Sequence, residues 1–163
     1  VYTTFFYYHA YTEYAEPIPD GKGVQQLKRI GDKIVHATAF QETVIHGSLA
    51  GKGSFWKNGE VTLEFKDLCE VDGNACAILG LDWGECTWSM PMTIMRPMRL
   101  KTVGTSTCRG DIYLDLKSKW VSKLVTTLSE ETVTTMWGIP VDRSKPVTTL
   151  TIRAMSKEDF DRD

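Results

Sequence analysis

The hydrophobic pattern of this chain has a period of two more often than a period of three or four. From Ser54 to Phe65 (SFWKNGEVTLEF) polar and apolar residues alternate on both sides of Asn58-Gly59. Asn-Gly between alternating runs is the strongest short-range hairpin signal, because both positions of a two-residue turn want positive φ. The expected register pairs Lys57 with Glu60 and Trp56 with Val61. It places Trp56, Val61, Leu63 and Phe65 on one face and Glu60, Thr62 and Glu64 on the other, as in a half-buried antiparallel sheet. The alternation slips at Lys66-Asp67-Leu68, which predicts a bulge. Asp72-Gly73 predicts a second hairpin, joining Leu68-Cys-Glu-Val to the run from Ala75 to Leu81.

Elsewhere the pattern is read from its interruptions. Lys33 to Leu49 has no turn residue before Gly47, so Ile34 to Ile45 reads as one long or bent strand, with Gly47, Gly51 and Gly53 marking the loop after it. Pro91 and Pro97 argue for an edge strand or irregular connection over Cys86 to Met98, because proline cannot donate to a ladder. Strands follow over Arg99 to Cys108, Gly110 to Leu116, Trp120 to Leu128, Thr132 to Trp137 and Val147 to Met155. Ser156-Lys-Glu-Asp can cap a short helical tail. Pro17-Ile-Pro-Asp-Gly breaks any element before the core, which is expected to begin after Gly23. The expected organisation is an aromatic and Pro-rich segment, 1–23, followed by a single antiparallel β domain, 24–163. The fold class is mainly β: an up-and-down barrel, half-barrel or sandwich of roughly eight to ten strands, with short non-sheet segments at both ends.

Composition strengthens this reading. Thr occurs 19 times against eight Ala, and β-branched side chains suit pleated strands. A chain of 163 residues can bury a core without help from a metal or disulfide. With 19 basic and 21 acidic residues the formal charge is −2, too balanced for a nucleic-acid partner. No apolar run reaches the roughly 18 residues of a membrane helix, and no signal-peptide pattern opens the chain. The Thr-rich, Ala-poor strands lead us to expect an extracytoplasmic location, periplasmic or secreted.

Four cysteines, Cys69, Cys76, Cys86 and Cys108, are an even set. A two-residue loop at Asp72-Gly73 sets Cys69 opposite Cys76 at a Cα separation of roughly 5.5 Å, within disulfide range, leaving Cys86 and Cys108 as the second pair. Buried thiols are the alternative.

Four of the six methionines, Met90, Met92, Met95 and Met98, fall within nine residues and follow Trp88. Thioether sulfur is a soft ligand suited to Cu(I). This segment of about a dozen residues resembles the Trp-x-x-Met-x-Met stretch of the small periplasmic Cu(I)/Ag(I) chaperones, although Trp88 stands one residue closer to its first Met and two prolines intervene. The resemblance implies copper as cofactor, Met90, Met92, Met95 and Met98 as ligands and Trp88 as an indole cap. The competing reading is adaptable core filler, and on it no cofactor is expected.

No Gly-x-Ser-x-Gly, His-Glu-x-x-His or phosphate loop is present. Asp82 and Glu85 around Trp83-Gly84 could serve a hydrolase as an acid/base pair, or form a polar turn. His9, His36 and His46 lack metal spacing and read as surface or interface histidines. Seven aromatics lie between Tyr2 and Tyr14, with Tyr7, Tyr11 and Tyr14 at helical spacing and Tyr2 to Phe6 at strand spacing. Exposed, Tyr2, Phe5, Phe6, Tyr7, Tyr11 and Tyr14 would form a contact for an apolar small molecule or protein partner; covering a barrel end, they would be core. The expected function is that of a non-enzymatic domain that binds an apolar ligand or serves as an accessory subunit, with soft-metal binding and an unrecognised hydrolase as alternatives.

Overall fold

Residues 12–19, 21–46, 50–95 and 98–154 are described by the structure, a computed structural model. Nine strands form one antiparallel sheet: β1 (Lys33–Val35), β2 (Glu42–Val44), β3 (Phe55–Lys57), β4 (Thr62–Val71), β5 (Asn74–Met95), β6 (Met98–Asp115), β7 (Val121–Met136), β8 (Ile139–Ser144) and β9 (Val147–Arg153). The sheet does not close: β1 and β2 line one margin, β8 and β9 the other. The strand count and the mainly β class agree with the alternation and Thr content of the sequence.

The nine strands are six lanes. β3 and β4 both pair with β5, and between Lys57↔Thr87 and Thr62↔Asp82 both chains advance five residues, so the register is kept from β3 into β4. β1 and β2 pair with β4 and β3 respectively, but the single long or bent strand expected over Ile34 to Ile45 is two three-residue strands: a turn at 37–40, with Phe40 at φ 61°, takes up the seven steps from Val35 to Glu42 that face only five from Thr62 to Lys57. β8 and β9 lie end to end along β7. The interruptions fall at one level. Asn58 to Val61 lies against the bulge between Asp82 and Glu85 in β5, Glu85 pairs with Thr107, Thr107 with Ser129, and Ser129 with Val147, just past Lys145-Pro146. This level, called here the crease, divides the sheet into two halves, although β6 and β7 run through it without a register shift.

The hairpin expected at Asn58-Gly59 does not form. Neither residue has positive φ, and the chain runs on from β3 into β4. Asn58 is held straight by the neighbouring lane: its backbone N–H donates to Gln41 O at 2.9 Å and its side-chain amide donates to Thr38 O at 2.9 Å, while its Oδ1 accepts from Trp56 Nε1 at 2.9 Å. Three hydrogen bonds to fixed partners outweigh a local turn preference worth about 1 kcal/mol. At Asp72-Gly73 the turn does form, with φ of 52° and 79°, and the bulge expected after Phe65 is present between Phe65 and Asp67.

Pro91 sits inside β5, paired with Lys101, although it argued for an edge or irregular segment. Its carbonyl accepts from Gly51 N–H at 2.7 Å on the side where β3 has already ended at Phe55↔Ser89. A strand residue presents its N and O on the same side, so the missing donor falls where no strand asks for one. Pro97 lies outside the described residues, as does the helical tail expected at Ser156. Two other expected breaks did not materialise: β6 runs unbroken through Gly110, and β7 runs through Ser129 to Glu131, joining the strands expected over Trp120 to Leu128 and Thr132 to Trp137; β8 was not anticipated. Its hairpin turns at Trp137-Gly138, with φ of 52° and 84°.

All members of the buried apolar cluster lie on the hairpin side of the crease, called here the lower half. Phe65, Leu79, Ile112, Leu124 and Ile152 make one row across five lanes, and each fully buried Leu or Ile contributes about 1.5–3 kcal/mol. Arg153 of β9 pairs with Asp72 in the β4–β5 turn, its Nε 2.9 Å from Asp72 Oδ2, although β6 and β7 lie between their lanes. Such a contact requires the lower sheet to curl. Tyr14 and Ala15, from a single 3-10 turn, enter this core ahead of the Gly23 boundary expected from sequence, and Val24 and Leu27 pack against it. Beyond the crease the buried strand residues are small or polar: Cys86, Ser89, Thr102 and Ser106.

Candidate binding trough

In the upper half the outer face of the sheet is an open trough of about 850 Å³. Its axis follows from register. Phe55 pairs with Ser89, Ser89 with Val103, Val103 with Val133, and Val133 with Arg143, so these five side chains form a line across β3, β5, β6, β7 and β8. Four inter-strand spacings of about 4.8 Å make it roughly 19 Å long. The parallel row Thr87, Thr105, Glu131 and Lys145 forms one side, and Lys101 stands on the other. The floor is thus apolar at Phe55, Val103 and Val133, hydroxylated along one flank, and cationic towards β8. Val103 is 39% exposed in mid-sheet, where a neighbouring layer would normally cover it.

Gly104 sets the floor between the rows. A Cβ there would come within 2.9 Å of the Trp88 ring and of Glu131 O, so the indole closes the sheet from behind while the trough side stays backbone. Lys145 Nζ holds Glu131 Oε1 at 2.7 Å in an exposed pair, of the kind worth less than about 1 kcal/mol. Lys101 and Arg143 are exposed and have no ion-pair partner among the described residues.

None of these trough residues was singled out from sequence. The available signal was negative: over Lys101 to Thr107 and Glu131 to Thr135 neither parity of the alternation is cleanly apolar.

The structure distributes the residues that were singled out. Met90, Met92 and Met98 share the face of Trp88, opposite the trough, and Met136 joins them in the row Met92–Leu100–Met136; the side chain of Met95 lies outside the described residues. Tyr2, Phe5, Phe6, Tyr7 and Tyr11 also lie outside them. Tyr14 is 4% exposed and inside the core, its ring 5.1 Å from that of His36 and 5.9 Å from that of Trp83. Burial pushes its hydroxyl well above the usual tyrosine range.

Cys69 does face Cys76, but none of the four cysteines forms a disulfide, and the expected bridge is withdrawn. The two-residue turn makes Val71↔Asn74 a hydrogen-bonded pair, so Cys69↔Cys76, two steps on, is again a wide pair. Cβ atoms in such pairs sit near 5.5 Å, beyond the 3.5–4.5 Å of a disulfide. Cys86 pairs across β6 with Ser106, and Cys108 across β7 with Leu128.

Asp82 is occupied structurally: Oδ1 accepts from Gly84 N–H at 2.8 Å in the bulge and Oδ2 pairs with Arg109 Nε at 2.8 Å. His36 is buried, contrary to the surface position expected, with Nδ1 accepting from Thr38 N–H at 3.3 Å and lying 2.9 Å from Thr38 Oγ1. Its Nε2 has no hydrogen-bond partner among the described residues, and burial lowers its pKa. No group of three or more His, Cys, Asp or Glu able to hold a metal occurs among the described residues, and no helix among them is long and apolar enough to cross a membrane.

Comparison with family models, with curated proteins and with solved structures gives no match.

Proposed function

We propose that this chain is a non-enzymatic binding domain that receives an apolar ligand in the trough of its upper sheet. The observation carrying this reading is the uncovered line Phe55–Val103–Val133 at the floor of an 850 Å³ concavity, a volume within the range of small-molecule sites. The test is titration with a neutral apolar fluorophore, N-phenylnaphthylamine, against the wild type and Val103→Glu. Val103 is half exposed, so its replacement leaves the core intact; binding by the wild type and its loss in the variant support the reading. Absence of binding, or binding unchanged by Val103→Glu, removes it. An extracytoplasmic location rests on the Thr-rich strand composition alone; the four thiols, none in a disulfide, lend it no support.

The accessory-subunit reading is favoured by a separate observation. Among the described residues, eight of the twelve exposed large hydrophobics lie on or beside the two margins of the sheet: Ile30, Val35, Phe40 and Val44 at one, Trp137, Ile139, Val141 and Val147 at the other. Unpaired edges invite strand addition, and natural edges normally carry charge instead. A chain that remains monomeric at high concentration and retains no partner from its source would end this reading. The soft-metal reading draws on the shared face of Met90, Met92, Met98 and Met136 with Trp88; failure to withdraw Cu(I) from bicinchoninate under reducing conditions would end it.

A further inference from the structure

We infer that the trough selects an amphipathic anion, with its charged end at β8 between Lys101 and Arg143 and its apolar body lying towards Phe55. The inference rests on the trough reading and adds the ligand's charge and direction. Three cations border the trough, Lys101, Arg143 and Lys145, against one carboxylate, Glu131. Glu131 is engaged by Lys145 at 2.7 Å, so the border carries a net +2 concentrated in Lys101 and Arg143. Asp142 does not neutralise it, because it pairs with Thr134 while Arg143 pairs with Val133, and successive strand residues face opposite sides.

The polarity along the row is one-directional. Arg143 ends the line at β8, Val133 and Val103 follow, and Phe55 ends it at β3; the cation flanking Phe55 on that face, Lys57, stands opposite Glu42 of β2, so a rod-shaped ligand meets unopposed positive charge only towards β8. A guanidinium offers parallel N–H donors that match the two oxygens of a carboxylate, and Lys101 can supply a further charge-assisted bond. The ligand class is therefore a long-chain carboxylate or similar singly charged amphiphile.

The experiment displaces N-phenylnaphthylamine from the wild type and from a Lys101→Gln/Arg143→Gln double variant with oleate, oleyl alcohol and oleylamine, all below their aggregation concentrations. Both side chains are exposed, and an unchanged thermal midpoint confirms that the variant is folded. The expected result is oleate preferred to oleyl alcohol by about tenfold or more, the approximate worth of a charge-assisted pair, with oleylamine weakest. The double variant should lose that preference, and added salt should erode the oleate advantage in the wild type. Equal affinities in the wild type, or a preference that survives the double substitution, overturns the anion inference while leaving the trough reading on the alcohol's binding. Failure of every ligand and of the fluorophore overturns both.

Discussion

The crease is most sharply tested at Gly59, where two readings of one dipeptide give opposite expectations. Gly59 does not have positive φ, so Ala fits its backbone and would by itself stabilise the protein by about 0.4–1 kcal/mol through the unfolded chain. The space around it reverses the sign. A Cβ would stand 2.6 Å from Glu85 N, 2.6 Å from Glu85 O and 2.7 Å from Trp83 O, roughly 0.8 Å inside ordinary contact. All three atoms are backbone of the β5 bulge, so no side chain can rotate aside and the lanes themselves must part. Overpacking of this kind costs about 1–3 kcal/mol and more where backbone must move, leaving Gly59→Ala net destabilised by about 2–3 kcal/mol. In a domain of this size that lowers Tm by about 5–10 °C.

Gly73→Ala is the internal control. Gly73 has φ of 79°, and no atom lies within 4 Å of the place its methyl group would take, so the substitution costs only the left-handed backbone penalty of about 1–2 kcal/mol. Urea and thermal unfolding of the two variants side by side separate the cases. If Asn58-Gly59 were a solvent-facing hairpin turn, the two substitutions would cost the same. Gly59→Ala no more destabilised than Gly73→Ala, or more stable than wild type, would refute the continuous β3–β4 lane and with it the crease.

Burial holds the folded-state pKa of His36 below the ordinary 6.5, so below about pH 6.5 the unfolded chain takes up a proton that the folded chain resists. Stability is therefore complete above that pH and declines as pH falls through it; His36→Gln should flatten the unfolding free energy between pH 7 and 5, and an unchanged slope would refute the assignment. Cys76, Cys86 and Cys108 are fully buried while Cys69 is partly exposed, so a thiol reagent should label one cysteine in the native protein and four in denaturant. Thr126 is 1% exposed with no partner for its Oγ1 among the described residues; Thr126→Val keeps its shape and should cost nothing or stabilise by about 1 kcal/mol in urea unfolding.

The contrast between two Xaa-Gly pairs explains how far the sequence reaches. Asp72-Gly73 is exposed at the end of the sheet, local preference has no competitor there, and the hairpin was legible. Asn58-Gly59 has the stronger motif, yet its donors and acceptor are claimed by Thr38, Gln41 and Trp56, of which the first two belong to a lane about twenty positions away. Gly110 looked like a break, but a Cβ there would meet Val125 O and Thr126; it is a close-approach residue in mid-strand, a role its own sequence neighbourhood does not display. The trough was illegible for a related reason. Phe55, Val103, Val133 and Arg143 become a line only through four long-range pairings, and each alone is an ordinary strand residue.

The division at the crease also bears on where binding can reside. The buried apolar cluster lies entirely in the lower half, whereas the upper half, with its buried Ser89, Thr102 and Ser106, is held mainly by backbone pairing between lanes. Local opening costs least where few apolar contacts are lost, so amides of Val103 to Ser106 and Thr132 to Met136 should exchange faster than those of Ile112, Leu114, Leu124 and Val125, on the same two strands. A ligand in the trough would bridge β3, β5, β6, β7 and β8 and supply the cover that sheet lacks. Protection should then rise in the upper halves of β6 and β7 on adding oleate and stay constant in the lower halves, whose stability the core already sets. Uniform exchange along both strands would show that the crease does not divide their stability, and the trough would then have to be understood as part of a single rigid sheet.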